Sequence, residues 1–398
     1  MGIGIFFNVP AHGHINPTLP IVNELVKRGE TIIYYSTEEF REKIEKTGAK
    51  YKPYSFSLSQ GPTPSGNFVK LAGMLLKATE EVMSKEMGYI KKLKPDYIIH
   101  DSMTPWGKHM AKYLGIKAVN TTSTFVFSGE TTDKVDKFRN KILKMALEAG
   151  IDQIFDIVTI KRRLKVEYGV NSKIMDLFRN QEDLNIVFSS LQFQPDGAKL
   201  GDKFLFVGPS IYDRKDASDF SFGNIEDRKL VYISLGTIAN ERLDFYRECI
   251  KAFSKSEFNV LISIGSKVNK KQLGVVPSNI HIETYVPQIE VLKRANLFIS
   301  HGGMNSVNEA LYFGVPLLIL PQQSEQVMVA KRVEELGAGI CITKKDIDSE
   351  YLLEKSVYIM ESRSFYESAG KIGEDFRETG GYKAGTDAIL NYVTDDLH

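Results

Sequence analysis

The chain has 398 residues, enough for two domains, and its 42% hydrophobic and 25% charged residues are ordinary for a soluble globular enzyme. Its 51 Lys and Arg balance 50 Asp and Glu, so neither nucleic acid nor an anionic membrane is expected as a partner. Cys249 and Cys341 lie far apart, which excludes a disulfide framework and fits a reducing cytoplasm. Without a basic leader or a run of about 18 apolar residues, we expect neither a signal peptide nor a membrane span.

The first half of the chain alternates short apolar runs with amphipathic segments, which is typical of a parallel sheet covered by helices. Strands are predicted at 3–7, 30–35, 50–53, 96–100, 117–120, 184–189 and 204–207. Helices are predicted at 18–27, 38–46, 68–93 and 105–114, with a helical insertion at 135–150 and 153–165. Residues 1–207 are therefore predicted to form one doubly wound domain.

The loop after the first strand, at 8–17, presents two histidines, His12 and His14, at the predicted edge of the sheet. It lacks the G-x-G-x-x-G of a dinucleotide-binding fold, which argues against a nicotinamide-dependent dehydrogenase. Pro17 suits a first helical turn, so we expect the next helix to open there. An imidazole titrates near neutral pH, which makes His14 a candidate general base; a histidine that only caps the helix is the alternative.

Asp101 stands at the end of the strand predicted at 96–100. A carboxylate on one imidazole nitrogen fixes the tautomer and stabilises the imidazolium, so Asp101 is the expected partner of His14. An aspartate after a strand is also commonly a helix N-cap, and the pattern leaves both interpretations open. His100 points to the opposite face if the strand persists, and we expect it to be structural.

Residues 208–224 mix Pro, Gly, Ser and Asp without periodicity, and we interpret them as the linker to a second domain at 225–380. Strands are predicted there at 230–235, 259–264, 279–283, 297–300, 315–320 and 339–342. Helices are predicted at 243–253, from 289 to about 295, from 304, and at 326–336, followed by two or three C-terminal helices of which 381–398 contains the last.

Within this second domain, the glycine turn His301-Gly302-Gly303 stands between an apolar run and a helix that begins near Met304. Glycines let the backbone approach a ligand closely, and a helix N-terminus presents unpaired N–H groups. Together they predict a phosphate site. The alternative is a strand–helix unit whose glycines only make a tight turn.

More polar side chains are predicted around this turn. Asn305 and Ser306 add hydrogen-bond donors, and Glu309, one helical turn further on, suits a pair of sugar hydroxyls. Glu325 and Gln326 are predicted to stand at the end of the next strand. Because the carboxyl ends of neighbouring strands meet at one edge, these groups converge where open α/β sheets bind ligands.

The stretch 285–326 resembles the donor-binding signature of glycosyltransferase family 1, the UDP-sugar-dependent transferases, and especially its bacterial macrolide and flavonoid glucosyltransferase branch. The resemblance also covers the first half of the chain, through the His after Gly at position 14 and the pattern at 101–107. The matching pieces of the signature are Val286-Pro287-Gln288, His301-Gly302-Gly303-Met304-Asn305-Ser306, Glu309, Gly314-Val315-Pro316 and Glu325-Gln326.

The resemblance implies the α/β architecture called GT-B, in which two doubly wound, Rossmann-like domains face each other across a cleft. The N-terminal domain would bind the acceptor, the C-terminal domain the nucleotide sugar, and the helix in 381–398 would pack back on the N-terminal domain. It further implies inverting, metal-independent transfer of a hexose, glucose from UDP-glucose, to a hydroxyl of a small hydrophobic flavonoid, phenol or macrolide. The UDP-sugar is then a co-substrate, and no cofactor is expected. The protein is expected to be a monomer.

Residue roles follow from the same resemblance. His14 would be the general base of the reaction and Asp101 its partner. Val286 and Gln288 would contact the nucleobase and ribose of the donor, and Glu309 the ribose. Glu325 and Gln326 would contact the sugar hydroxyls. The full set of implied donor-binding residues is Thr237, Tyr285, Val286, Gln288, His301, Gly303, Met304, Asn305, Ser306, Glu309, Glu325 and Gln326.

Two departures from the family pattern affect donor choice. Tyr285 stands where many relatives carry a tryptophan that stacks on uracil, so the choice between a UDP-sugar and a dTDP-sugar as donor stays open. Met304 replaces a bulkier aromatic residue. On the acceptor side an apolar pocket and plain core packing are equal alternatives. The candidate acceptor residues are His12, Met74, Met103, Phe125 and Phe127.

Two rival functions share this architecture: a nucleotide-sugar epimerase, and a nucleotide-sugar-binding auxiliary protein without chemistry. The presence of both His14 and Asp101 counts against the second rival. Asp346-Ile347-Asp348 matches an Asp-x-Asp metal motif by letter, but it precedes a helix and Asp348 is expected to be an N-cap. No metal site is therefore expected.

Overall fold

The computed structural model describes residues 1–55, 67–126, 148–171, 174–178, 180–212, 228–236, 240–344 and 347–395. The chain divides into two compact units, which we call unit 1 (Met1–Ser210 with Gly380–His398) and unit 2 (Ile211–Thr379). Most of the linker predicted at 208–224 lies outside the described residues, as does nearly all of the helix predicted at 135–150.

Both units contain a parallel sheet. In unit 1 the strands are β1 (Ile3–Phe7), β2 (Thr31–Ser36), β3 (Lys50–Pro53), β4 (Tyr97–Asp101), β5 (Lys117–Thr122), β6 (Leu184–Val187) and β7 (Phe204–Phe206). In unit 2 they are β8 (Leu230–Ser234), β9 (Asn259–Ser263), β10 (Ile280–Glu283), β11 (Ala295–Ser300), β12 (Leu317–Ile319) and β13 (Gly339–Cys341). The strand orders are β3-β2-β1-β4-β5-β6-β7 and β10-β9-β8-β11-β12-β13.

The helices alternate with the strands, as a doubly wound fold requires. Unit 1 contains α1 (His12–Lys27), α2 (Arg41–Glu45), α3 (Phe68–Leu93), α4 (Pro105–Leu114) and α5 (Ile151–Tyr168). Unit 2 contains α6 (Leu243–Phe253), α7 (Gln288–Leu292), α8 (Met304–Tyr312), α9 (Ser324–Glu335), α10 (Ser349–Glu361) and α11 (Arg363–Glu378). None of the described helices combines the length and apolar character needed to cross a membrane.

The last helix, α12 (Gly381–Thr394), belongs to unit 1 and packs on α1. Gly385 makes this close approach possible, since a Cβ at that position would lie 3.1 Å from Ile21. Lys117 Nζ donates to the main-chain oxygen of Tyr392 at 2.6 Å. The chain therefore leaves unit 1, builds unit 2, and returns.

The start of α1 differs from the prediction. The helix begins at His12, six residues before the predicted start at 18, and both Pro17 and Pro20 lie inside it. The expectation that Pro17 marks the first turn was therefore wrong, and His14 lies in a helical turn, not in a loop. The physical reason is tertiary: the buried side chain of Asn8 donates to the His14 carbonyl oxygen at 3.1 Å and supports the turn from outside the helix.

Each sheet has a point at which its strand order reverses, between β1 and β4 in unit 1 and between β8 and β11 in unit 2. The connections diverge there, and α/β proteins bind ligands in the crevice that opens at the carboxyl ends of the strands. His14 follows β1 and Asp101 ends β4, whereas His301 follows β11. These three predicted site residues thus lie at the two reversal points.

Candidate active site

The reversal point of unit 1 brings His14 and Asp101 together. His14 Nδ1 lies 2.9 Å from Asp101 Oδ2, and the two side chains are 20% and 1% exposed. The second carboxylate oxygen, Oδ1, accepts from the Met103 amide at 2.7 Å. Asp101 does not cap α4, whose N-cap is Thr104. The carboxylate is therefore fixed by its neighbours and oriented towards the imidazole.

Ser123 is a third member of this cluster that sequence reasoning missed. Its Oγ lies 3.2 Å from His14 Nδ1, and the side chain is buried. A carboxylate can only accept, so the contact with Asp101 requires the proton on Nδ1 and leaves the lone pair on Nε2. The only sequence signal was the Thr- and Ser-rich segment after β5, which neighbours β4 in the sheet.

His100, next to Asp101 in the chain, has a different partner. It is fully buried and its Nε2 lies 3.1 Å from Glu182 Oε1, in line with the structural role expected of it. Burial would raise the pKa of Glu182, but His100 and Lys108 outweigh it and hold the pKa below its usual value. This contact joins β4 to the segment before β6.

His12 turns towards the helical turn at Glu38–Phe40. Its Nε2 lies 3.3 Å from Glu39 Oε1, and its ring meets Phe40 edge-on with centroids 4.9 Å apart. Burial and the nearby Lys43 lower the pKa of His12, although Glu39 opposes them. His12 and His14 are thus two residues apart but have different partners.

The candidate acceptor residues divide between core and partly buried positions. Phe125 is buried against Phe193, with ring centroids 5.6 Å apart, so it is a core residue. Met103 is partly buried and packs against the core, and Met74 is a partly buried residue of α3. Phe127 lies outside the described residues.

In unit 2, Gly236 and Gly303 lie against the His301 ring. A Cβ at Gly236 would lie 2.5 Å from His301 Cε1, and one at Gly303 would lie 2.6 Å from its Nε2. Gly302 has φ +84° and no room for a side chain beside Ile319. Gly303 is the N-cap of α8, so the first turn of that helix begins at the turn. These glycines are therefore required by close approach within unit 2 itself, to His301 and Ile319.

His301 is neutral at pH 7. Burial lowers its pKa to about 4, and the nearby Ser234 backbone only partly opposes this. Its Nδ1 is buried without a hydrogen-bond partner among the residues that the structure describes. A neutral imidazole can donate one hydrogen bond to an anion, but it brings no positive charge.

Gln288 and Glu309, which were both predicted to bind the nucleotide-sugar donor, contact each other. Gln288 Nε2 donates to Glu309 Oε2 at 2.6 Å and lies 3.4 Å from Ser306 Oγ. Tyr232 Oη donates to Gln288 Oε1 at 3.1 Å and so fixes the orientation of the amide. Tyr232 could not be found from the sequence, because it stands within an apolar strand and gives no polar signal.

The remaining candidates for binding the sugar donor differ in exposure. Val286 and Met304 are buried, Asn305 is partly exposed, and Tyr285 is 54% exposed. Thr237 lies outside the described residues. These positions leave the Tyr285 ring accessible to a ligand.

Glu325 and Gln326 were predicted to stand at the end of a strand, and the structure shows that they do not. They lie in the first turn of α9, because β12 ends at Ile319 and the helix begins earlier than expected. Gln326 Oε1 accepts from the amides of Gln322 and Gln323 at 2.8 and 3.2 Å. This capping box explains the early start of the helix.

The Asp-x-Asp letters have a structural explanation in their second aspartate. Asp348 Oδ1 accepts from the Tyr351 amide at 2.8 Å, which confirms it as the N-cap of α10. Asp346 lies outside the described residues.

Comparisons with known proteins agree with this geometry. Residues 247–379 match the family model of the erythromycin biosynthesis protein CIII-like C-terminal domain. The chain is 32% identical to the uncharacterized UDP-glucosyltransferase YojK of Bacillus subtilis, over 98% of this chain and 97% of that protein. It is 26% identical to demethyllactenocin mycarosyltransferase of Streptomyces fradiae, over 96% of this chain and 85% of that enzyme.

The fold has a close match among solved structures. The calicheamicin glycosyltransferase CalG4 superposes with a TM-score of 0.85 at 24% identity, over 100% of this chain and 99% of that one. Its likeness establishes the fold, GT-B, with two parallel-sheet Rossmann-like domains. Together with the 32% identity to a UDP-glucosyltransferase over nearly the full length of both chains, this fold shows that the chain belongs to the bacterial UDP-glycosyltransferases of glycosyltransferase family 1.

Proposed function

We propose that the enzyme transfers glucose from UDP-glucose to a hydroxyl of a small hydrophobic acceptor, with inversion at the sugar carbon and without a metal ion. The observation that carries this proposal is the 2.9 Å contact between His14 Nδ1 and the buried Asp101 carboxylate. It supports the Nδ1-protonated tautomer, whose Nε2 can accept a proton.

The proposed reaction is a single displacement. The acceptor hydroxyl gives its proton to His14 Nε2 while its oxygen attacks the sugar carbon from the face opposite the nucleotide. The bond from that carbon to the diphosphate breaks, and UDP leaves with the electron pair. Asp101 stabilises the imidazolium that forms, and one displacement inverts the configuration.

The leaving diphosphate would be stabilised by the glycine turn and the N-terminus of α8. Amide groups and the positive end of the helix dipole favour an anion there. His301, Asn305 and Ser306 would add neutral donors, each worth roughly 3 kcal/mol when aimed at developing charge. This arrangement supports charge stabilisation by the protein itself, and it is the ground for proposing metal independence.

The donor is proposed to be UDP-glucose because the full-length relative is named a UDP-glucosyltransferase. Gln288 and Glu309 would bind the ribose, and the exposed Tyr285 ring offers a surface for uracil. Glu325 and Gln326 would meet the sugar, although the Gln326 oxygen already serves the capping box, which leaves its amide nitrogen for the sugar. For the acceptor we propose macrolides, flavonoids or other phenols, since one relative is named a demethyllactenocin mycarosyltransferase.

The proposal is tested by UDP release from UDP-glucose in EDTA, with and without a panel of macrolides, flavonoids and simple phenols. We expect acceptor-dependent release, a product heavier by one hexose, and a β-glucoside by NMR. Parallel reactions with dTDP-glucose compare thymine with uracil. An isomerised donor without a heavier product would indicate an epimerase, and binding without any turnover an auxiliary protein; either result refutes the proposal.

His14→Ala tests the assigned base. We expect transfer to be lost while UDP still binds, as measured by calorimetry, because the nucleotide site lies in unit 2. His281→Ala is the matched control, since this partly buried histidine of β10 lies in neither site. Transfer that survives His14→Ala would remove His14 from the mechanism.

A further inference from the structure

A buried hydrogen-bond network reaches the backbone of His14. Its three side chains are Asn8, which follows β1, Thr18 of α1, and Tyr34 of β2. Asn8 Nδ2 lies 3.1 Å from the His14 carbonyl oxygen and 2.7 Å from Tyr34 Oη. Tyr34 Oη lies 2.8 Å from Thr18 Oγ1, which donates to the Ile15 carbonyl oxygen, also at 2.8 Å.

The direction of each hydrogen bond follows from the two carbonyl ends of this network. The His14 carbonyl can only accept, so Asn8 must present its amide nitrogen, which settles the orientation of the carboxamide. Thr18 donates its hydroxyl hydrogen to Ile15 and therefore accepts from Tyr34. Tyr34 in turn accepts the second amide hydrogen of Asn8. The donors thus run from Asn8 to two successive carbonyls of the turn that carries His14.

The first turn of α1 needs this support, because its own sequence offers little. The N-cap, Ala11, has no side chain that could cap, and the first turn has no acidic residue. Pro17 and Pro20 lie within the helix and lack N–H groups, so two of its ordinary hydrogen bonds are missing. The position of His14 therefore depends on side chains that come from outside the helix.

Asn8 is not the side chain that stability alone would favour. Its Oδ1 is buried and has no hydrogen-bond partner within the described part of the chain. An unsatisfied buried acceptor lowers the stability of the fold. The main-chain oxygen of Asn8 accepts from Tyr54 Oη at 2.8 Å, so the residue is held at both its backbone and its side chain. A rigid donor at this point suits the placement of a neighbouring group.

We propose that Asn8 is a positioning residue, which holds the first turn of α1 and thereby aims the His14 imidazole at the acceptor hydroxyl. This inference rests on the proposed role of His14 as the base. A base has to lie within hydrogen-bond reach of the proton that it takes, and misplacement by about 1 Å costs about 100-fold in rate. Loss of the Asn8 amide therefore lowers kcat, while the nucleotide site in unit 2 is unaffected.

The test compares Asn8→Ala with the wild type in kcat, in KM for UDP-glucose and in UDP affinity by calorimetry. We expect kcat to fall about 100-fold, with KM and UDP affinity unchanged. Asn279→Ala is the matched control, because Asn279 also donates to two main-chain oxygens, of Phe253 and Phe258, at 3.0 and 2.9 Å, but in unit 2. The control is expected to keep its kcat. A wild-type kcat in Asn8→Ala overturns the inference.

A second pair of variants serves if Asn8→Ala does not fold. Thr18→Ser keeps the hydroxyl that receives the Tyr34 donor, whereas Thr18→Val removes it at nearly constant volume. We expect kcat to be kept by Thr18→Ser and lowered by Thr18→Val. Equal kcat values would contradict the inference. His14→Ala is measured alongside: its activity would refute the proposed function, whereas its inactivity beside a fully active Asn8→Ala refutes this inference alone.

Discussion

The reversal points of the two sheets each carry a histidine, but the two imidazoles have opposite surroundings. His14 meets a buried carboxylate at 2.9 Å, whereas His301 lies between Gly236 and Gly303 with its pKa lowered to about 4. The residue type is the same at both places, and each histidine follows a strand that borders the reversal point of its sheet. The neighbours decide the chemistry: a carboxylate allows the ring to hold a proton taken from a substrate, and burial without one keeps the ring a neutral donor.

Asp101→Asn removes the carboxylate that distinguishes His14 from His301, and it should have the largest effect on this comparison. An asparagine can present its amide nitrogen to Nδ1 and so favour the wrong tautomer, for which a loss of about 10⁴-fold in kcat is known in a serine-protease triad. We expect a similar order of loss here, with UDP affinity unchanged by calorimetry. A loss of less than about tenfold would mean that Asp101 does not orient the base.

His301→Asn tests the other half of the comparison through stability against pH. The unfolded histidine takes up a proton below its ordinary pKa of 6.5, whereas the folded one does so only near 4. The wild type should therefore lose up to about 3 kcal/mol of stability between pH 6.5 and 4, and the variant should be spared this loss. His109, whose pKa burial also lowers to about 4, destabilises both proteins equally. Thermal unfolding midpoints between pH 7 and 4.5 measure the difference.

If the midpoints of wild type and His301→Asn fall in parallel as the pH is lowered, His301 is not held neutral by the fold. Burial of the ring would then not be the reason for its difference from His14.

Ser123→Ala refines the comparison with the smallest effect. Its hydroxyl lies 3.2 Å from His14 Nδ1, but Asp101 already receives the proton of that nitrogen at 2.9 Å. A neutral hydrogen bond contributes about 1 kcal/mol, so we expect kcat to fall about fivefold. Steady-state kinetics measures it. A loss as large as that of Asp101→Asn would make Ser123 an equal partner of the base.

Local sequence patterns predicted most of the helices and strands, because the apolar periodicity of a segment is enough to indicate which of the two it forms. The bounds of α3, α4 and α6 agree with the apolar periodicity and with their terminal residues. The His14–Asp101 contact could be anticipated although 87 residues separate the pair, because a doubly wound sheet places its first and fourth strands side by side.

What could not be predicted depends on contacts across the fold. The start of α1 was missed because Pro17 is a local signal for a first turn, while the network from Asn8 and Tyr34 outweighs it through space. Ser123 and Tyr232 were missed for the same reason. A serine in a polar loop and a tyrosine in an apolar strand acquire their roles only from the partners that folding brings to them.

The return of the chain to unit 1 in α12 has a consequence for modularity. The whole of unit 2 is one uninterrupted segment, Ile211–Thr379, inserted into the sequence of unit 1. A chimera that exchanges only this segment would keep α12 against α1, with Gly385 still seated beside Ile21. An exchange that continues to the C-terminus would also replace α12 and so lose its packing on α1. A chimera therefore needs two crossover points, one at each end of Ile211–Thr379, to leave the core of unit 1 intact.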